Sequence, residues 1–187
     1  MNRIHHWYCR SSSWKRRVDN ELLPLALAGT TLDEPALEIG PGPGVTTDYL
    51  SARIRSLTAL ERDPFLAKKL REQFSSTNVR VIEGDATSMP FESGSFRTVF
   101  CFTMLHHVPS PALQDRVIAE AFRVLAPGGV FVGTDSRMSL RMKLFHLFDT
   151  MVIVEPETFR ERLRHAGFRD ARIKVSGRAF SFCAARS

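Results

Sequence analysis

Three short stretches carry side chains whose type and spacing suit ligand chemistry. Gly40-Pro41-Gly42-Pro43-Gly44 alternates glycine with proline directly after Ala36-Leu37-Glu38-Ile39 and directly before a helix-like stretch from Val45. Without Cβ atoms, the glycines let backbone N–H groups approach a ligand while the chain turns tightly into a helix N-terminus. The spacing excludes two phosphate cradles. A dinucleotide fingerprint needs G-x-G-x-x-G, but its last glycine position is Val45, and no G-x-x-x-x-G-K-[ST] is present. Glu61 follows roughly twenty residues later at the end of a second apolar run, where a carboxylate can accept from both hydroxyls of a ribose. The alternative is a surface acid paired with Arg62. Asp85, in Gly84-Asp85-Ala86, is placed either to accept from an exocyclic amine or to close an Asx turn.

His106 and His107 directly follow a fourth apolar run. Imidazole changes charge near neutral pH, so either suits proton abstraction from an acceptor. The other reading has one histidine packing or capping the helix at Ser110 while its neighbour faces solvent. His146 is a further candidate, with core or lid packing as its alternative, and His5-His6 reads as part of a polar terminus. No metal-ligand spacing joins the histidines. Cys9, Cys101 and Cys183 are far apart and form no C-x-x-C, so neither a zinc site nor a disulfide framework is expected, and the compartment reads as reducing.

The elements that must position these groups follow from periodicity. Strands are expected at 36–39, 56–60 ending at Glu61, 79–83, 96–102 and 130–134, with helices at about 45–53, from Pro64 to about Phe74, and after Pro109-Ser110-Pro111. Leu113, Val117, Ala121, Val124 and Leu125 form one face of that last helix, and Pro127-Gly128-Gly129 stops it. A helix over 156–166 and strands over 171–175 and 179–184 close the chain, joined by Ser176-Gly177-Arg178. Strands separated by helices predict a mostly parallel α/β sheet, and the closing hairpin makes one edge antiparallel. A leading helix from about Ser12 caps something within residues 1–35; its aromatics, Trp7, Tyr8 and Trp14, either line a pocket or pack the helix onto the core.

With 187 residues, 43% of them hydrophobic and 25% charged, the chain suits a single globular domain, 1–187. The net charge of +6 permits attraction to nucleic acid, anionic lipid or acidic metabolites, but the cations are scattered. No apolar run approaches the ~20 residues of a membrane span, and no signal-like apolar segment opens the chain. The reading is cytoplasmic, with peripheral membrane contact left open.

In order and spacing, Glu38-Ile39-Gly40-Pro41-Gly42-Pro43-Gly44, Ala59-Leu60-Glu61-Arg62-Asp63-Pro64, Glu83-Gly84-Asp85-Ala86, Leu105-His106-His107 and Arg123-Val124-Leu125-Ala126-Pro127-Gly128-Gly129 resemble the class I S-adenosylmethionine-dependent methyltransferases. The resemblance covers about residues 36–185. It implies a Rossmann-like, doubly wound, seven-stranded sheet of order 3-2-1-4-5-7-6 with strand 7 antiparallel. It also implies S-adenosyl-L-methionine as cofactor, leaving S-adenosyl-L-homocysteine. Gly40 and Gly42 would lie against the methionine moiety, Glu61 would hold the ribose, and Asp85 with the Ala86 backbone would read the adenine. Gly44, Arg62 and Phe102 complete the expected cofactor wall, and Glu38 would steady the turn and reach the amino group through water. One departure stands out: the family usually carries an acid early in the fourth strand, where this chain has Arg97.

Methyl transfer from a sulfonium is an in-line displacement, so the protein chiefly aligns donor and acceptor and excludes water. The segment 137–154 lies where this family commonly builds its substrate cover. Its Leu, Met and Phe content suits a small, partly apolar acceptor, though the same stripe suits core or a dimer face. Arg137, Arg141 and Lys143 there read as a solvated face, as steering for an anionic acceptor, or as contacts to lipid headgroups. The ribosomal RNA adenine dimethylases share the glycine turn but follow the fourth strand with Asn-x-Pro-aromatic, a grip for a flipped base. Here that place reads Thr103-Met104-Leu105-His106, which argues against nucleic acid. The expectation is methylation of a small molecule, with oxygen slightly favoured by a histidine base, by a monomer or homodimer. The rivals are an RNA methyltransferase and a non-catalytic adenosyl-binding module.

Overall fold

A computed structural model describes residues 11–139 and 151–187. The chain enters through α1 (Ser12–Arg17), a π-helical turn (Val18–Leu22) and α2 (Leu23–Leu27). The Ser11 side chain caps α1 by accepting from the Trp14 amide. Val18, Leu22, Leu23 and Ala26 form the buried stripe that fastens this segment to the sheet.

Seven strands follow: β1 (Ala36–Ile39), β2 (Leu57–Glu61), β3 (Val79–Glu83), β4 (Phe96–Phe102), β5 (Leu125–Ser136), β6 (Arg169–Ser176) and β7 (Ala179–Ala185). They are interleaved with α3 (Val45–Ser51), α4 (Pro64–Gln73), a 3-10 turn (Leu105–His107), α5 (Pro111–Val124) and α6 (Pro156–His165). The sheet order is β3-β2-β1-β4-β5-β7-β6, parallel through β5, with β7 antiparallel to both its neighbours. The expected topology is therefore observed.

Burial on both faces explains why the central strands read as apolar runs rather than alternating ones. Leu37, Ile39, Val99, Cys101 and Phe131 pack against α5 and α6 through Val117, Ile118, Phe159 and Leu163. On the opposite face Ala36, Phe100, Phe102 and Val132 meet Val18, Leu22, Leu23 and Leu50. Pro64 and Pro111 open α4 and α5 at positions that need no N–H, and Asp63 and Ser110 cap the free amides behind them.

One local expectation is corrected. The fifth strand begins at Leu125 rather than Val130: Phe96 pairs with Leu125 and Thr98 with Val130, so residues 126–129 loop out as a bulge. Close packing fixes Gly129, where a Cβ would stand 2.8 Å from the Arg97 carbonyl oxygen. Pro127-Gly128-Gly129 thus marks a kink within the strand, not its boundary. Arg97 sits at the amino end of β4, donating its amide to the Pro35 carbonyl and placing its guanidinium 3.9 Å from Asp33. The missing acid therefore leaves the carboxyl ends of the strands untouched. Of the expected cover, only 137–139 and 151–154 are described; His146 and the terminal His5, His6, Trp7 and Tyr8 lie outside the described residues.

Candidate active site

Strand order reverses between β1 and β4, and a crevice opens at their carboxyl ends. The glycine turn forms one wall. Gly40 (φ 62°) stands so close to the segment after β4 that a Cβ would lie 2.4 Å from Met104 Cγ. Gly42 (φ 58°) has nothing within 4 Å of the Cβ position, so its bare face is open to the crevice, as a cradle for a ligand's main chain requires. Gly44 precedes α3 as its N-cap, and its missing side chain makes room for Leu70 of α4 and Phe74 just after it, so its visible role is packing.

Glu61 is 7% exposed at the end of β2, beside this turn. Its two oxygens accept from the Gly42 amide at 3.0 Å and the Asp63 amide at 2.9 Å, which fixes the carboxylate against the glycine loop. Burial pushes its pKa upward, and these amide bonds oppose the shift. The alternative partner, Arg62, instead reaches Asp85, with Nε 3.6 Å from Oδ2. Asp85 closes a turn by accepting from the Thr87 amide and hydroxyl, each at 2.8 Å, while Oδ2 faces Arg62. The Thr87 amide above all holds the Asp85 carboxyl below its usual pKa. Ala86 packs against the core below.

Glu38 lies beneath the turn and is 1% exposed. It accepts from the Thr46 hydroxyl and, at 2.6 Å, from the Thr47 hydroxyl, tying β1 to the first turn of α3. Burial pushes its pKa up to about 7 against the pull of these hydroxyls, and the nearby Glu61 charge adds to the rise.

The opposite wall comes from the end of β4 and the turn after it. Phe102, Thr103, Met104 and His107 line the crevice, together with Trp14 of α1. Thr103 takes a positive φ of 49°, with its amide donating to the Thr134 carbonyl at 2.7 Å. The two histidines part company here. His107 lines the crevice, whereas His106 is 2% exposed behind it, the two ring centroids 4.1 Å apart.

His106 meets a residue that sequence reasoning did not single out. Its Nδ1 is 2.5 Å from Asp135 Oδ1, and its backbone amide donates to Oδ2 at 3.2 Å. Asp135, 1% exposed, also accepts from the Ser136 amide at 2.6 Å. Val152 donates its amide to the His106 carbonyl, and Gln114 bridges the Leu105 and Val152 carbonyls. The histidine turn is thus fixed to β5 and to the chain returning at 151–154. The available signal for Asp135 was its position near the end of a strand next to β4.

Residues 37–133 match the methyltransferase domain family, and the chain belongs to that family. S-adenosyl-L-methionine is the methyl donor of the class, and Gly42's open face beside the Glu61 carboxylate fits it. The chain is 30% identical over 145 residues to 2-methyl-6-phytyl-1,4-hydroquinone methyltransferase 2 of Oryza sativa, covering 75% of this chain and 40% of that protein. It is 32% identical to a ubiquinone biosynthesis O-methyltransferase of Pseudomonas paraeruginosa, over 71% of this chain and 59% of the relative. A shorter match, 51% identical over 55 residues, links 29% of the chain to 20% of a probable ribosomal RNA small subunit methyltransferase A of Thermococcus onnurineus. The chain therefore spans less than two thirds of these curated relatives. A solved Pyrococcus horikoshii structure shares the fold with a TM-score of 0.78 at 19% identity, covering 96% of this chain and 94% of that one.

Proposed function

We propose that this chain transfers the methyl group of S-adenosyl-L-methionine to a small, partly apolar acceptor, with oxygen the favoured nucleophile. One observation carries the reading: His107 lines a crevice walled by Trp14, Phe102 and Met104, directly over the buried Asp135–His106 pair. Among the described residues, apolar walls with one titratable ring suit an aromatic or lipid-like hydroxyl better than a phosphate backbone. The relatives named for a phytyl hydroquinone and for ubiquinone O-methylation agree with that class.

When bound, the donor supplies an electrophilic methyl on a sulfonium. Gly40 and Gly42 would give its methionine end room, Glu61 would accept from the ribose hydroxyls, and Asp85 with the Ala86 backbone would take the adenine side. Glu38 keeps the turn in register through Thr46 and Thr47. His107 would take the proton of the acceptor hydroxyl, so that its oxygen is free to receive the methyl. His106, held by Asp135, fixes the position of the neighbouring ring. With an acceptor in place, Trp14, Phe102 and Met104 would shield the methyl from water, which would otherwise compete for it.

The test is methyl transfer from labelled donor to three samples: a prenylated quinol, a simple phenol, and total RNA. Label on a quinol or phenol oxygen supports the reading. Label on RNA alone would establish the ribosomal RNA relative's chemistry instead, and donor binding without transfer to any sample would point to a non-catalytic adenosyl-binding module.

A further inference from the structure

Among the described residues three large apolar side chains are exposed: Phe65, Met138 and Val175, at 58%, 47% and 48%. Phe65 is covered on one face by the Lys69 ammonium, 4.3 Å from its ring centroid. The other two stand together at one place, the tip where β5 ends and β6 turns into β7. Ser136 pairs with Ala179, which pairs with Ser176, so all three strands reach this tip. Arg137 straps it, donating its amide to the Arg178 carbonyl at 2.9 Å and Nη1 to the Gly177 carbonyl at 3.2 Å.

The closing hairpin as a whole is basic. Residues 169–187 carry Arg169, Arg172, Lys174, Arg178 and Arg186 against the single acid Asp170, which is most of the chain's net charge of +6. Arg169 and Arg186 belong to the far end of the hairpin, where Arg169 pairs with Ala185. The tip itself, 137–138 and 174–178, holds Arg137, Lys174 and Arg178 with no acid. The neighbouring carboxylate, Asp135, is buried against His106. Among the described residues no acid faces these cations, and exposed apolar side chains among such cations are the composition of a surface that meets anionic lipid headgroups.

We propose that this hairpin tip docks on an anionic lipid bilayer, with Met138 and Val175 entering the headgroup boundary and Arg137, Lys174 and Arg178 facing the lipid phosphates. The inference deepens the acceptor class proposed above and rests on it for its purpose. The tip lies at the carboxyl end of β5, the end of the sheet at which the crevice opens, so docking there brings the crevice toward a bilayer in which an apolar acceptor dissolves. RNA fits the tip less well, because its residues include no aromatic ring on which a base stacks.

Flotation with vesicles tests this without any methyl transfer. The protein is expected to float with vesicles of equimolar phosphatidylcholine and phosphatidylglycerol, not with phosphatidylcholine alone, and to be released by high salt. Each cation removed weakens partition about fivefold, so Lys174→Glu with Arg178→Glu lowers it by at least about 30-fold. Met138→Asp with Val175→Asp also releases the protein, whereas Arg80→Glu, on the far edge strand β3, does not. Circular dichroism and donor titration on the same variants are expected to match the parent chain, which separates failure of docking from failure of the methyltransferase reading. Absence of flotation, flotation undiminished by the tip variants, or binding of polyuridylate without binding of vesicles would each overturn the proposal.

Discussion

Replacing Glu38 with Gln should flatten a pH dependence that the buried carboxylate builds into the fold. Glu38 is 1% exposed, and its pKa rises from 4.5 to about 7, chiefly through burial. The folded chain therefore keeps a proton that the unfolded chain releases between those values. Stability from this group is fully present below about pH 4.5 and is lost as pH rises through about 7. At about 1.4 kcal/mol per pH unit the difference is worth about 3 kcal/mol. The hydroxyls of Thr46 and Thr47 can reorient to suit an amide, so Glu38→Gln retains their bonds while removing the charge. Urea unfolding of both proteins at several pH values from 5 to 8 isolates the residue, since every other titrating group is shared. The gain from the substitution should grow with pH and level off above about 7, at up to about 3 kcal/mol. A gain that is constant across pH would refute the raised pKa and the buried ionisation it rests on.

Two further substitutions probe the walls of the crevice. Gly40→Ala combines a left-handed backbone with a Cβ 2.4 Å from Met104 Cγ, so thermal or urea unfolding should show a loss of about 2–4 kcal/mol. Asp135→Asn replaces one carboxylate oxygen by a donor where three N–H groups, from His106 Nδ1, the His106 amide and the Ser136 amide, now share two acceptors. One buried donor loses its partner, for about 1–3 kcal/mol in urea unfolding, and the imidazole proton resonance of His106 should move.

The sequence carried the fold wherever one residue type had one physical use. Ala36–Ile39, Val79–Glu83 and Phe96–Phe102 were legible as strands because apolar runs between turn signals have few other destinations. Pro127-Gly128-Gly129 misled because local composition reports a break in the chain, while pairing with β4 resumes on both sides of it. Glu61 was legible from its place at a strand end, but its bond to the Gly42 amide appears only when β1 and β2 lie side by side. Asp135 was not legible as a partner of His106. They are 29 positions apart in the chain, and only the β4–β5 pairing and the turn after β4 bring them together. The division of labour between the adjacent histidines was equally hidden, because one residue of difference on a 3-10 turn separates the crevice from the core.

The central claim, that the turn after β1 and the acid at the end of β2 hold an adenosyl sulfonium donor, is tested most directly by titration calorimetry with S-adenosyl-L-methionine on the folded chain and its Glu61→Gln variant. Saturable binding is expected, weakened by about 10- to 150-fold in the variant through lost hydrogen bonds to a charged acceptor. A folded chain that binds neither S-adenosyl-L-methionine nor S-adenosyl-L-homocysteine, or a variant that binds as tightly as its parent, would contradict it.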